Sequence, residues 1–184
     1  MSLRYTLCFC RHGERLLMLL RRKPPHAGKW NGVGGKIEAG ETPLTGVTRE
    51  VMEESGLDLN RAATVHFGGI VTWPADDGVN GQGSGMYVYI AEFPERAVIW
   101  SGERATADGL LCWQPIAWVC DGANPRVVEN IPIFLPPMLR GTPPVEHYCR
   151  FQGEALRDVQ VRPLQTADQD DANDHQQQAQ YPLR

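Results

Sequence analysis

The stretch that decides the fold reads GKIEAGETPLTGVTREVMEESGL and covers residues 35–57. Its second half predicts a helix over about residues 43–55. Thr42 is a good N-cap, and Pro43 suits the first helical position. Gly56 suits the left-handed conformation in which many helices end. The expected helix is therefore bounded at both ends by local signals.

Three glutamates of this helix, Glu50, Glu53 and Glu54, lie three or four residues apart and should project to one side. Like charges placed in this way repel each other, and a hard divalent cation would reverse that cost. Mg²⁺ prefers oxygen ligands and keeps several waters beside its carboxylates. Arg49 precedes Glu53 by four residues and is expected to orient it through a bidentate contact. The pattern predicts a Mg²⁺ site, with Mn²⁺ as the alternative metal; the competing interpretation is a solvated acidic helix face.

Composition and charge narrow the possible partners. The 184-residue chain has a net charge of −4, and residues 166–184 hold four Asp against one Arg. Without clustered excess Lys and Arg, a nucleic-acid partner is not expected. No apolar run approaches the roughly 18 residues of a membrane span, so we expect no membrane partner. Five cysteines without a CxxC pair argue against disulfides and zinc and favour a reducing, cytoplasmic location.

Hydrophobic periodicity and turn signals predict further elements, which we expect to form a mixed sheet flanked by helices, an α/β fold. The predicted strands cover residues 4–11, 15–21, 62–72, 86–93, 109–113, 146–151 and 156–162, and a short helix covers 130–140. Residues 74–85 read as a Gly-rich acidic loop. One domain is expected over residues 1–165, followed by a disordered low-complexity tail over 166–184.

The opening stretch also meets every position of the Nudix box, GX5EX7REUXEEXGU, where U is a bulky aliphatic residue. The chain therefore resembles the Nudix hydrolases. The resemblance implies the Nudix fold, an α/β/α sandwich, and hydrolysis of a nucleoside diphosphate linked to another moiety. It also implies that Glu50, Glu53 and Glu54 serve as metal ligands or base, with the Gly34 or Gly35 carbonyl completing the metal shell.

Other stretches resemble the MutT-like branch of this family, the 8-oxo-dGTP diphosphatases. These stretches are KWNGVGGKIEAGET (29–42), Tyr5-Thr6-Leu7, Cys112-Trp113 and Phe151-Gln152-Gly153. The resemblance implies a purine contact for Asn31, a place near the phosphates for Arg21, and an extra metal-ligand or base role for Asp108. It also places Thr6 and Lys36 among the substrate-binding residues.

The chain departs from that branch where the base is read. Glu129 and Asn130 stand where the relatives carry two adjacent aspartates, and the stacking Trp is missing. Ordinary structural roles compete at the secondary positions. Asn31 also suits a turn, Asp108 a solvated turn, and Arg21 a solvated strand end.

The expected reaction is hydrolysis of a purine nucleoside triphosphate, oxidised or not, to the monophosphate and pyrophosphate. Glu53 is the first choice of base and Asp108 the second. Alternative substrates are ADP-ribose and dinucleoside polyphosphates, and an alternative class is a nucleotide sensor without activity. The expected partner is a small-molecule nucleotide, and the expected assembly is a monomer or a homodimer.

Overall fold

The computed structural model describes residues 3–74, 83–97 and 100–165. The predicted tail over 166–184 and most of the predicted loop over 74–85 lie outside these residues. Among the helices described, none has the length and apolar character needed to cross a membrane.

Within the described ranges, nine strands form one mixed sheet in the order β6-β7-β2-β1-β5-β4-β8-β9, with β3 paired to β2. The strands are β1 Leu3–His12, β2 Arg15–Arg21, β3 Trp30–Asn31, β4 Thr64–Thr72, β5 Gly83–Glu92, β6 Glu103–Ala105, β7 Gly109–Pro115, β8 Val145–Gln152 and β9 Ala155–Arg162. The pairs β1–β5 and β4–β8 are parallel, and the β1–β2 and β8–β9 hairpins are antiparallel, as their turn signals predict. The sheet is therefore mixed, as predicted.

Helices cover both faces of the sheet. They are α1 Pro43–Ser55, α2 Ile116–Val119 and α3 Ile131–Leu139, with 3₁₀ turns at Leu59–Arg61 and Glu95–Ala97. Alternating residues of β1 enter two cores: Cys8 packs with Val47 and Val51 of α1, whereas Phe9 packs with Phe134 of α3. The α/β/α sandwich is thus confirmed.

The boundaries of α1 confirm the local signals. The Thr42 hydroxyl accepts from the Thr45 amide at 3.2 Å, and the Thr45 hydroxyl accepts from the Thr42 amide at 2.8 Å. This reciprocal capping box satisfies two amides at the start of the helix. Gly56 adopts a left-handed φ of 72°, and its N–H donates to the Met52 carbonyl at 2.8 Å.

Some predicted boundaries were wrong by a few residues. β4 begins at Thr64 rather than at residue 62, because the Leu59–Arg61 turn precedes it, and β5 runs from Gly83 to Glu92 rather than from 86 to 93. The sequence reasoning missed β3, β6 and α2 altogether. These elements have two to four residues, which is too short for a hydrophobic period to be visible.

The segment before α1 runs beside β1, and this places the first half of the Nudix box. The Thr6 amide donates to the Gly35 carbonyl at 2.9 Å, and the Ile37 amide donates to the Arg4 carbonyl at 2.9 Å. A Cβ at Gly34 would overlap the Thr6 carbonyl, so a side chain there would push the segment away from the strand. The glycines therefore allow the close approach that brings this segment to the glutamates of α1.

Candidate active site

Arg49 is the centre of an ion-pair network at the start of the site. Its Nε and one terminal nitrogen donate to the two carboxylate oxygens of Glu41, at 2.7 and 3.0 Å. Its other terminal nitrogen donates to Glu50 at 2.9 Å and to Glu53 at 3.2 Å. The bidentate partner is therefore Glu41, and the prediction that it is Glu53 was wrong.

The network shifts the ionisation of its members. Hydrogen bonds from Arg49, then the Glu38 amide, lower the pKa of Glu41 to about 2, and the same carboxylate raises the pKa of Arg49. Arg49 also donates to the Lys36 carbonyl at 3.0 Å. The guanidinium thus ties the helix to the loop before it, and its charge is retained at any working pH.

Glu50 explains why the box begins with glycine. Two carboxylate oxygens of Glu50 lie 2.5 and 2.6 Å from where a Cβ on Gly35 would stand. Real Cβ atoms essentially never come so close to another heavy atom, so a side chain at this position would displace the carboxylate. The Glu50 side chain is 17% exposed and lies against Gly35, whereas that of Glu53 is 60% exposed.

Glu54 differs from its neighbours, because its Oε2 is buried and has no hydrogen-bond partner among the described residues. Burial, and then the charges of Glu50 and Asp108, raise the pKa of Glu54 to about 7. A backbone hydrogen bond from Gly34 and the charge of Arg21 act in the opposite direction. The fold therefore brings Glu50, Glu54, Asp108 and Arg21 together from three separate parts of the chain.

These residues fit a hard divalent cation by their donor chemistry. Glu54 offers an unpartnered buried oxygen, and Glu50 and Asp108 add carboxylates close enough to perturb it. The Gly35 carbonyl accepts from Thr6 and keeps a second lone pair. Within residues 3–74, 83–97 and 100–165, no three His, Cys, Asp or Glu side chains already stand in metal-binding geometry. Arg49 holds Glu50 and Glu53 in ion pairs instead.

The basic residues Arg21 and Lys23, at and just after the end of β2, already have partners. Arg21 donates from Nε to the Pro25 carbonyl at 2.8 Å, and Lys23 pairs with Asp108 at 3.3 Å. Asp108 lies in the turn before β7, and its carbonyl accepts from the Arg22 amide at 2.9 Å. Asp108 therefore pairs with a basic residue and also acts electrostatically on Glu54.

The predicted base-reading residues meet around β3. The segment before α3 pairs with this strand, since the Val128 amide donates to the Trp30 carbonyl at 3.1 Å. Asn31 is half-buried, and its Oδ1 accepts from the Gly32 amide at 2.9 Å. That contact is the one expected of a turn residue.

Glu129 and Asn130 differ in whether their hydrogen-bonding atoms already have partners. Glu129 accepts from Lys29 at 3.2 Å and from the Leu156 amide at 2.6 Å, and these bonds lower its pKa. The buried amide of Asn130 donates to the Cys149 sulfur at 3.6 Å, while its Oδ1 has no partner among the described residues. The buried Thr6 hydroxyl also has no partner there.

One further residue of the site belongs to no motif. Arg4 lies at the start of β1 and lines the same cavity as Glu50 and Lys36. A single arginine near the start of a strand looks like a solvated strand end in the sequence, so no signal separated it from the other surface arginines.

The class of proteins to which the chain belongs is defined by two features. One is the α/β/α sandwich with a glutamate-bearing helix on one face, and the other is the Gly-rich segment that runs beside β1 next to that helix. The sequence profile of the NUDIX domain matches residues 2–136, and the chain is a member of the Nudix family, whose hydrolases act on pyrophosphate bonds.

Curated relatives match part of the chain. A mouse protein described as an oxidized purine nucleoside triphosphate hydrolase is 39% identical over 69 residues, which are 38% of this chain and 42% of the relative. The zebrafish protein of the same description is 46% identical over 55 residues, which are 30% of this chain and 35% of the relative. The chain thus spans about two fifths or less of the length of these relatives.

Solved structures share the fold. The MutT protein of Bacillus halodurans superposes with a TM-score of 0.62 at 20% identity, covering 90% of this chain and 100% of that one. The NUDIX domain of Shewanella oneidensis NrtR, solved with ADP ribose, gives a TM-score of 0.55 at 19% identity, covering 77% and 90%. At these identities the likeness shows the fold alone.

Proposed function

We propose that the protein is a Mg²⁺-dependent hydrolase that cleaves a purine nucleoside triphosphate, oxidised or not, to the monophosphate and pyrophosphate. The observation that carries the proposal is the unpartnered buried oxygen of Glu54, which lies on the Nudix helix with Glu50 and is acted on by the charge of Asp108 from the turn before β7. The two vertebrate relatives, which are described as oxidized purine nucleoside triphosphate hydrolases, support the substrate class.

The proposed metal ligands are Glu50, Glu54, Glu53 and the Gly35 carbonyl. Bound Mg²⁺, for which Mn²⁺ is the alternative, would lower the pKa of a water and neutralise charge on the phosphates. Glu53 is the proposed base, with Asp108 as the second choice. The Glu53 side chain is 60% exposed, so water reaches it, and the contact with Arg49 limits where the Glu53 carboxylate can move.

Arg49 acts in this scheme by positioning the carboxylates. It draws Glu50 and Glu53 to one side while Glu41 anchors it from the loop. Phosphoryl transfer depends mainly on such positioning and on electrostatics, since little covalent chemistry is required of the protein. Arg21 and Lys36 are the proposed phosphate contacts among the residues that the resemblance identified.

The proposed base pocket lies around β3 and includes Asn31, Asn130, Glu129 and Thr6. Both Glu129 oxygens are already engaged, so we assign Glu129 to holding the pocket wall through Lys29 and Leu156. The unpartnered Oδ1 of Asn130 is an acceptor that an N–H of a guanine edge would satisfy. The amide of Asn31 both donates and accepts, so it can match a keto oxygen or a ring nitrogen.

The experiment is product analysis with the purified chain, Mg²⁺ and a purine triphosphate. We expect equal amounts of nucleoside monophosphate and pyrophosphate, loss of activity in EDTA, and recovery with excess Mg²⁺. Release of orthophosphate and a diphosphate would reject the bond assignment. Undiminished turnover in EDTA would reject the metal requirement.

A further inference from the structure

A cavity of about 720 Å³ opens beside the catalytic helix, and Arg21 is not among its lining residues. Its walls are the start of β1, the loop over residues 36–41, and Glu50 of α1. We call it the Arg4 groove. Because Glu50 forms one wall, anything bound in the groove lies next to the carboxylates where the proposed reaction takes place.

The charged groups of the Arg4 groove differ in whether they are paired. Glu41 and Glu50 both accept from Arg49. Arg4, by contrast, has a buried Nε without a hydrogen-bond partner, and its guanidinium lies 5.9 Å from the ring centre of Tyr5. Lys36 is exposed and takes part in no ion pair among the described residues. Two cations therefore face the groove with unused donors, against the exposed Glu38.

The basic residues at the end of β2 are not among the residues that line the Arg4 groove, and each already has one partner. Arg21 is engaged by the Pro25 carbonyl, and Lys23 is engaged by Asp108. A second anionic group would have to break those contacts to use the same donors. The cations that line the groove together with Glu50 are thus Arg4 and Lys36.

We propose that Arg4 binds the terminal phosphates of the substrate, the part that leaves as pyrophosphate, with Lys36 assisting across the Arg4 groove. The planar guanidinium presents paired donors that match two phosphate oxygens. The Ile37 amide holds the Arg4 carbonyl at 2.9 Å, so the backbone of Arg4 is fixed relative to the loop that carries Lys36.

The role follows from the charge balance of the reaction, and it rests on the proposed function. A water oxygen forms a bond to phosphorus and gives its proton to Glu53, the proposed base. The anhydride P–O bond breaks, and the departing pyrophosphate keeps the electron pair. Negative charge therefore grows on the group that lies against Arg4. A cation there stabilises the departing group, and it should favour triphosphates over diphosphates, which lack one phosphate.

The test compares Arg4→Met, which keeps the unbranched stem and removes the charge, with the wild-type full chain in Mg²⁺. We expect kcat/KM for the triphosphate to fall about 10-fold and the inhibition constant of inorganic pyrophosphate to rise about 10-fold. Turnover of the matching diphosphate should change less than about 3-fold. A matched control is Arg157→Met, which removes an exposed arginine of β9, four strands away from β1 in the sheet. It should leave all three values unchanged.

Two results would overturn the assignment. One is pyrophosphate inhibition and triphosphate turnover within about twofold of wild type in a folded Arg4→Met. The other is an equal loss for the diphosphate and the triphosphate, which would mean that Arg4 does not distinguish the terminal phosphate. If Arg4→Met does not fold, Arg4→Lys is used instead, because it keeps the charge and loses the planar guanidinium. Pyrophosphate inhibition that is about 3-fold weaker than in wild type supports the proposal, and unchanged pyrophosphate inhibition contradicts it.

Direct calorimetry of pyrophosphate with Mg²⁺ separates this inference from the proposed function. If wild type cleaves no triphosphate, the proposed function fails. Pyrophosphate that binds wild type and binds Arg4→Met about 10-fold more weakly would still support the groove. Equal binding by both proteins would reject it.

Discussion

The two sides of the glutamate row on α1 differ sharply in how their charges are satisfied. On one side Arg49 engages Glu41, Glu50 and Glu53 at 2.7, 2.9 and 3.2 Å. On the other side Glu54 keeps a buried oxygen without a partner among the described residues and has a pKa of about 7. Residues one turn apart on the same helix therefore have opposite electrostatic environments.

The difference indicates that the Arg49 network and Glu54 have separate roles in the motif. The Arg49 network stabilises the local structure, and its ion pairs compensate the carboxylates in the protein itself. Glu54 is compensated only weakly, so its charged form costs free energy until a cation arrives. We infer that the Arg49 network stabilises the local structure and that the poorly compensated carboxylate of Glu54 favours the binding of a metal ion.

The largest expected effect is on catalysis. Glu54→Gln or Glu53→Gln should lower kcat by at least about 100-fold, because each change removes a proposed ligand or base and keeps the side-chain shape. The measurement is steady-state turnover of a purine triphosphate in Mg²⁺, with Tm as a check of folding. Glu14→Gln, which alters a carboxylate that is 88% exposed in the β1–β2 turn, is the control. Near-wild-type turnover in either variant would remove that residue from the catalytic role.

The second prediction concerns stability of the metal-free protein. The pKa of Glu54 is raised from 4.5 to about 7, so its charged form is disfavoured in the fold. Stability should therefore fall by at most about 3–4 kcal/mol as pH rises from about 4.5 to 7, and it should stay level above that range.

Urea unfolding without metal from pH 5 to 8 measures this slope. Glu54→Gln should cancel it, while Glu53→Gln, which leaves the buried Glu54 carboxyl in place, should keep it. The pKa of Glu41 is lowered from 4.5 to about 2, so its contribution to stability is lost as pH falls from about 4.5 to 2, below this window. Parallel profiles for wild type and Glu54→Gln would show that Glu54 is not strained in the fold.

The third prediction tests the Arg49 ion-pair network. Arg49→Lys keeps the charge but loses the planar fork, so it cannot engage Glu41 at two points and reach Glu50 as well. We expect a loss of about 1–2 kcal/mol in unfolding free energy and about 20-fold in kcat. Differential scanning calorimetry and kinetics measure the two quantities. A lysine variant that matches wild type in both would show that the bidentate geometry is not needed.

The smallest expected effect concerns the base. Losing a matched polar contact in a dry pocket costs about 1–3 kcal/mol, and Asn31 is only half-buried. Asn31→Ala should therefore reduce the preference for purine over pyrimidine triphosphates by about 5- to 10-fold. Turnover of the pyrimidine substrates should stay nearly the same. An unchanged preference ratio would leave Asn31 with its turn contact to Gly32 alone.

The sequence predicted those parts of the molecule that local signals specify. The capping box at Thr42 and the left-handed Gly56 both depend on near neighbours, so the limits of α1 could be read from the chain. The β1–β2 hairpin is specified in the same way by its Gly turn. Elements that depend on distant partners were not predicted from the sequence. One example is β3, whose two residues pair with Leu19 and Leu20.

The same distinction applies to the site. Helical spacing predicted that Arg49 would reach Glu53, and it does, at 3.2 Å. The stronger partner, Glu41, comes before the helix, where spacing along α1 says nothing. Arg4 meets Glu50 only because β1 and the 36–41 loop form the walls of one cavity with α1. Tertiary structure, rather than any local pattern, made these residues neighbours.

The most direct test of the central claim is a comparison of kcat/KM across a nucleotide panel with Mg²⁺. The panel contains GTP, dGTP, 8-oxo-dGTP, the pyrimidine triphosphates, ADP-ribose and diadenosine tetraphosphate. We predict that a purine triphosphate, guanine or oxidised guanine first, is hydrolysed faster than every other compound and yields pyrophosphate. Faster turnover of ADP-ribose or diadenosine tetraphosphate than of every triphosphate would contradict the proposed substrate and leave the family membership intact.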